Sequence, residues 1–300
     1  MKILVSGASG LLGSALTQHL SQAGHTVLHL VRHKQDDARD QVLYDIAAGT
    51  IEMELLEGLD AIVHLGGASI AKHRWSQEVK DNIRFSRVRS TELLVNALSE
   101  LSAPPKTFLC ASAIGYYGSR GDAELTEEAT PGEGFLAEVC QDWEAAAQPA
   151  REHGVRVVNM RMGMVLSRRD GALARMLLPF RLGLGGVIGN GLQYMSWIDI
   201  DDLVRAIEFL LADPTLQGPV NLVAPSPVTN RTFTKILGRA LHRPTLLPLP
   251  AFMVKLIFGQ MGESLLLDSA RVLPKKLEGA GFRFDYATLE DALRHQIRVE

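Results

Sequence analysis

Three glycines, Gly7, Gly10 and Gly13, stand at intervals of three directly after the apolar run Lys2-Ile-Leu-Val-Ser6. Glycines at such a junction let the backbone turn tightly, approach a pyrophosphate and pack a helix against a strand. A helix beginning there points free N–H groups and the positive end of its dipole at the phosphates. Ser9, Leu11 and Leu12 lie among the glycines and join the predicted contact set. A second informative charge is Arg32, in Arg32-His33-Lys34. About 20 residues past the glycines an NAD-type site carries Asp or Glu, bonded to the ribose 2′-hydroxyl. A carboxylate repels a 2′-phosphate, whereas a guanidinium grips it with paired, charge-assisted hydrogen bonds. The pattern predicts NADP(H) over NAD(H), with Arg32 as the discriminator. The plain alternative is a solvated basic strand end.

The elements that must position these groups are legible in the apolar spacing. Leu11, Leu12, Ala15, Leu16, Leu20 and Ala23 carry the i, i+3/i+4 period of a helix lying on a sheet. Further strands are predicted at 25–31, near 42–46, at 60–66, at 107–113, at 156–162 running on to Leu166, and at 220–223. Helices are predicted at about 76–101, around 134–153 and at 201–211, the last with an Asp N-cap. This alternation predicts an α/β fold with a doubly wound parallel sheet of Rossmann type. Two stretches break it: the glycine-rich Phe180–Gly191 and the tail from Pro225, with Pro244, Pro248, Pro250 and Pro274. The expected organisation is a cofactor-binding domain, 1–166 completed by 196–224, and a smaller substrate-binding domain, 167–195 with 225–300.

Composition sets outer limits. The chain has 300 residues, 46% hydrophobic and 22% charged, with a net charge of −3. That is ordinary globular composition, giving no reason to expect nucleic acid or an anionic membrane surface as partner. No apolar run approaches the roughly 18 residues of a spanning helix. A strand starts at the N-terminus, leaving no room for a secretory signal, so a cytoplasmic location is expected. Cys110 and Cys140 read as reduced packing residues, and nine histidines without ligand spacing predict no metal.

A set of motifs carries a resemblance. Gly7–Gly13, His64-Leu-Gly-Gly-Ala68, Arg74-Trp75, Ser86-Arg87, Ser112-Ala-Ile-Gly-Tyr-Tyr-Gly118 and Ser196-Trp-Ile-Asp-Ile-Asp-Asp202 resemble extended or atypical short-chain dehydrogenases/reductases. With Leu178–Gly186 and Gln193, the chain is similar to the YfcH-type epimerase family, relatives of nucleotide-sugar epimerases, over nearly its whole length. The resemblance implies an NADP-binding Rossmann domain, a C-terminal substrate domain, and cofactor contacts from Leu65, Gly66 and Arg87. Gly67 extends the backbone approach to the ribose, and Ala111 in the following strand joins the cofactor set. The alternative for Arg87 is one more solvated helix charge beside Arg84 and Arg89.

Redox epimerases of this superfamily use a Tyr-x-x-x-Lys pair, stacked one helical turn apart, with a Ser or Thr that polarises the substrate oxygen. This chain lacks the pair: none of Tyr44, Tyr116, Tyr117, Tyr194 and Tyr286 has Lys four residues on, and no lysine lies between Lys106 and Lys235. Ser112 is a candidate polariser, one position before the family's usual serine site, which here is Ala113. Its alternative is a structural hydroxyl. Tyr116 or Tyr117 is a candidate acid, with Arg120 nearby, against the alternative of packing aromatics. Glu138 and Cys140 are weaker candidates from the helix. Arg181 and Gln193 are candidate substrate contacts, Arg181 suiting an anionic group such as a nucleotide diphosphate. Arg271 and Lys275 are possible anion contacts or solvated charges, and Asp201 and Asp202 read as a helix start. The functional expectation is an NADP(H)-dependent oxidoreductase or epimerase on a nucleotide-sugar or other small polar substrate, as monomer or homodimer. The competing expectation is a cofactor-binding sensor or regulator with little turnover, since binding outlasts chemistry on many folds.

Overall fold

The computed structural model describes residues 1–34, 38 and 40–298. Its centre is an eight-stranded sheet of β1 (Lys2–Ser6), β2 (Thr26–Val31), β3 (Gln41–Asp45), β4 (Thr50–Ile51), β5 (Ala61–His64), β6 (Thr107–Ala113), β7 (Arg156–Met162) and β8 (Gly218–Leu222). The spatial order is β8-β7-β6-β5-β1-β2-β3-β4, parallel throughout except for β4, which turns back on β3. The chain winds outward from β1 to β2 on one side and resumes at β5 on the other. Such a reversal leaves a crevice at the carboxyl ends of β1 and β5, where ligands of doubly wound sheets sit. The fold is the doubly wound α/β architecture that the strand–helix alternation predicts.

Helices cover both faces. α1 (Leu11–Gln22) and α5 (Ile200–Ala212) pack on one, with Leu16, Leu20, Leu203 and Ile207 against Ile3, Val5, Leu109 and Val158. α2 (Gln77–Glu100) and α3 (Phe135–Ala147) cover the other, with Leu94, Leu98 and Trp143 against Leu4, Ile62, Phe108 and Val157. Alternation along each strand explains the split, since successive side chains point to opposite faces.

Two differences from the sequence expectations have local causes. The predicted run to Leu166 breaks at Gly163, where an added Cβ would lie 2.7 Å from the Ser196 carbonyl oxygen. Beyond it, Met164–Leu166 leaves the sheet and pairs with Trp197–Asp199. The start of α5 also shifts: its N-cap is Asp199, whose side chain accepts from the Asp201 N–H, rather than a residue of the 201–211 segment. Asp202, one turn in, accepts from the Asp285 and Tyr286 N–H groups at 2.9 Å each and pairs with Arg205.

The remaining α-helices among the described residues are α4 (Gly171–Arg181), α6 (Asn230–Leu241), α7 (Ala251–Gly262), α8 (Lys275–Gly279) and α9 (Leu289–Arg298). A separate apolar cluster joins Leu173, Leu177 and Phe180 of α4 to Phe233 and Leu237 of α6 and to Leu289 and Leu293 of α9. α8 and the residues after it behave differently: Leu277 and Phe282 join the core on the α5 face of the main sheet. α7 breaks at Gly259, φ +61°, and buries only Val254 and Gly262. Among the described residues no helix is long and apolar enough to cross a membrane.

Candidate cofactor and active site

The glycine turn opens onto the crevice. Gly7 has φ +68°, and the Gly10 N–H closes the turn on the Gly7 carbonyl at 3.0 Å. Gly13 is the tightest position, since a Cβ there would lie 2.1 Å from the Gly7 carbonyl oxygen. Gly10 is the N-cap of α1 and offers no side-chain acceptor. The first N–H groups of α1, which have no intrahelical partner, are therefore uncapped beside the exposed Ser9 and Gly10. That cradle fits a pyrophosphate. Arg32 stands exposed just past the end of β2, close enough to Tyr44 to lower its phenol pKa against the larger upward push of burial.

The end of β5 is fixed by a buried polar chain that the sequence reading missed. Ser6 and His64 are register partners on β1 and β5. The Ser6 hydroxyl accepts the Leu65 and Gly66 N–H groups at 2.9 and 3.0 Å, so its proton goes to His64 Nδ1 at 2.6 Å. The network then assigns the His64 proton to Nε2, which donates to Ser90 Oγ at 3.0 Å, and Ser90 donates to the Ser86 carbonyl. Burial, assisted by the Arg87 charge, pushes the imidazole down to about 3, so it stays neutral. Leu65, Gly66 and Gly67 are thus held at the crevice. Arg87 is tucked beneath them: its Nη1 donates to the Ala68 and Ile83 carbonyls at 3.0 Å, and its guanidinium lies 5.1 Å from the Trp143 ring centroid. It braces the loop from below. Ala111 is enclosed in the α2/α3 core, and the half-buried residue at the open end of β6 is Ala113.

At the carboxyl ends of β6 and β7 lies a buried ionic network. Arg161 Nε and Nη2 donate to the two carboxylate oxygens of Glu144 at 2.8 Å each. Ser112, the register partner of Arg161, donates to Glu144 Oε1 at 2.7 Å. Arg161 Nη1 donates to the Tyr117 hydroxyl at 3.0 Å, and that hydroxyl donates to Asn221 Oδ1 at 2.7 Å. Glu127 closes the far side, its carboxylate accepting the Asn221 and Lys276 N–H groups.

This network decides where three candidates sit. Tyr117 is 0% exposed, with both hydrogen-bonding capacities of its hydroxyl used and its pKa raised by burial. Ser112 is enclosed with its proton committed to Glu144. Tyr116 is half-buried, its ring centroid 3.4 Å from the Arg161 guanidinium carbon. It lines a cleft of about 700 Å³ with Glu127, Arg151, Asn159 and Gly218. The side-chain Oδ1 of Asn159 is buried there without a protein donor. Cys140 lies against Ser112, its thiol pushed up to about 11, mainly by burial and then by Glu144. A thiol so placed stays protonated at neutral pH. Glu138 faces outward and pairs with Arg84 at 3.0 Å.

The other candidates are spread out. Arg120 donates from Nε to the Tyr117 carbonyl and from Nη2 to the Pro131 carbonyl, stapling the loop around Gly118. Gln193 is 6% exposed and donates to the Ile188 and Leu266 carbonyls, joining two segments from inside. Arg181 is exposed at the end of α4. Arg271 pairs with Glu124 at 3.0 Å and Lys275 with Glu278 at 3.6 Å. Glu144, Arg161, Asn221 and Glu127 were the missed members of the site. The signal for Arg161 was a charge set inside the apolar Arg156–Met162 strand, which requires a buried partner.

Comparison with known proteins agrees with this geometry. Residues 3–222 match the NAD dependent epimerase/dehydratase family, and residues 249–296 match a domain of unknown function, DUF1731. An epimerase family protein of Mycobacterium bovis is 45% identical over 291 residues, covering 97% of this chain and 96% of the relative. The crystal structure of human epimerase family protein SDR39U1 (isoform 2) with NADPH superposes with a TM-score of 0.90 at 34% identity, covering 100% of both chains. A UDP-N-acetylglucosamine 4-epimerase from Bacillus cereus, at 18% identity and TM-score 0.76 over 99% of both chains, shares the fold.

Proposed function

This chain belongs to the NAD dependent epimerase/dehydratase family, and on that premise we propose that it binds NADP(H) and acts as an oxidoreductase or epimerase on a nucleotide-sugar or another small polar substrate. The observation that carries the reading is the Gly7–Gly13 turn opening onto the uncapped α1 opposite Leu65–Gly67. In this reading Gly7, Ser9, Gly10, Leu11, Leu12 and Gly13 hold the pyrophosphate, Leu65–Gly67 face the ribose, and Arg32 takes the 2′-phosphate. Arg87 serves through the loop it braces. Ala113, at the open end of β6, takes the place expected of Ala111. Residues 1–166 with 196–224 form the cofactor-binding unit, and Arg181 borders the substrate side.

Bound NADP(H) supplies a hydride donor or acceptor. Of the two adjacent tyrosines, Tyr116 is the one with open surface and is the proton-transfer group we retain. Ser112 and Tyr117 act as positioning residues through Glu144 and Arg161. A second reading, a regulator that senses the cofactor with little turnover, is favoured by one observation: Ser112, Glu144, Arg161 and Tyr117 satisfy one another internally.

Titration calorimetry with NADPH and NADH tests the cofactor assignment. NADPH is expected to bind at least 10-fold more tightly, and Arg32→Glu to erase the difference, as loss of a charge-assisted pair of about 1.5–3 kcal/mol requires. Equal affinities in the unaltered protein overturn it. Nicotinamide absorbance, together with chromatography of the recovered sugars for the epimer, tests turnover across a panel of nucleotide-sugars. Activity lost in Tyr116→Phe supports the enzyme reading, and neither a redox change nor epimer formation with any substrate favours the regulator.

A further inference from the structure

The surface of α7 and the ribbon beside it is apolar to an unusual degree. Leu182, Leu246, Phe252 and Leu256 are 65, 79, 68 and 73% exposed. They are carried on adjoining backbone: the Leu249 N–H donates to the Val187 carbonyl at 2.8 Å, the Gly189 N–H donates to the Leu249 carbonyl at 2.9 Å, and α7 follows at Ala251. Lone exposed leucines are commonplace, but large apolar side chains gathered on adjoining backbone mark an interaction surface.

The same segments are basic. Residues 167–195 and 225–265 hold nine Lys and Arg against two Asp and Glu, in a chain whose overall charge is −3. Two of these cations are tied to the leucine-bearing segments. Arg243 Nε donates to the Arg181 carbonyl at 2.9 Å, and Arg231 Nη2 donates to the Asn190 carbonyl at 2.9 Å. One of the two acids, Glu263, is already paired with Lys255 at 2.6 Å. A two-fold contact between copies through this face would set its cations against one another. A surface that is apolar in depth and anionic at its edge satisfies both features.

We propose that the face built from 178–192, 243–249 and α7 docks peripherally on an anionic lipid bilayer, leucines and Phe252 in the acyl boundary and Arg231 and Arg243 among the headgroups. The global charge hides this because the acidic groups lie elsewhere on the molecule. Sedimentation of the full chain with phosphatidylcholine vesicles, with and without phosphatidylglycerol, tests the proposal. Binding is expected only to the phosphatidylglycerol vesicles and is weakened by salt. A Leu246→Gln/Leu256→Gln variant, altered only at exposed positions, should bind at least 10-fold more weakly with an unchanged thermal midpoint, and Arg231→Glu/Arg243→Glu likewise. Failure to pellet with either vesicle overturns the proposal, as does equal binding to both. Sedimentation velocity showing a dimer that Leu246→Gln/Leu256→Gln dissolves assigns the face instead to a second copy of the chain, and also overturns it.

Discussion

Glu144→Gln keeps the volume of the side chain and removes its charge. Arg161, 3% exposed, then faces an amide where it had two 2.8 Å bonds to a carboxylate. Removing one member of a buried ion pair costs about 3–5 kcal/mol, because the other charge is stranded out of water. The Gln oxygen still accepts one bond, which places the expected loss near the lower end, roughly 3 kcal/mol. For a chain of this size each kcal/mol corresponds to about 2 °C, so the thermal midpoint should fall by roughly 6 °C. Arg161→Met strands Glu144 instead and removes the cation over Tyr116, so its loss should be at least as large. In the double variant neither charge remains, and the combined loss should fall short of the sum by about 2 kcal/mol. Urea unfolding with matched m-values gives all three differences. Two results refute the reasoning: single variants within about 0.5 kcal/mol of the parent, or a double variant whose loss equals the sum.

Gly13→Ala would drive a methyl to 2.1 Å from the Gly7 carbonyl oxygen. The turn must move, so NADPH affinity should drop by more than 10-fold and stability by about 1–3 kcal/mol; calorimetry showing undiminished affinity would remove the turn from the cofactor site. Asp199 is held up to about 6 by burial, against an ordinary 3.8. Its contribution is complete below pH 3.8 and is lost as pH rises through about 6, a swing of roughly 3 kcal/mol. Asp199→Asn, which still caps α5, should therefore gain stability on the parent between about pH 4 and pH 7, and parallel pH–stability curves would contradict it. His64 runs the other way. With its folded pKa at about 3 against 6.5, it withdraws stability as pH falls below 6.5. His64→Gln should flatten that acid limb in urea unfolding, and an unchanged limb would place the acid sensitivity elsewhere.

The doubly wound sheet was readable because parallel strands are buried on both faces and leave continuous apolar runs, as Lys2–Ser6 and Ala61–His64 do. The glycine turn was readable because Gly13 answers a local constraint within its own loop. The ionic network was not, since Ser112, Glu144, Arg161 and Asn221 come from four elements that only the tertiary fold assembles. A tyrosine doublet at a strand end looks the same in sequence whether its hydroxyls face solvent or core. The short helical turn Ile114–Tyr117 that follows β6 separates them: Tyr117 meets Asn221 and Arg161 inside, while Tyr116 stays at the cleft. Gln193 misled for a related reason, a polar side chain spent on cross-linking two loops.

Leu277 and Phe282 sit in the same core as Ile3 and Val5, and the Asp285 and Tyr286 N–H groups are tied to Asp202. β1 thus shares its core with residues that leave the ribosome long after it. A nascent chain that has completed α5 and β8 still carries an unsealed apolar face until residues 277–286 arrive. Synthesis and folding of the cofactor-binding half are therefore out of step. A stop codon placed between β8 and α8 should therefore yield aggregate rather than a working Rossmann fragment, which the solubility of the truncated chain checks.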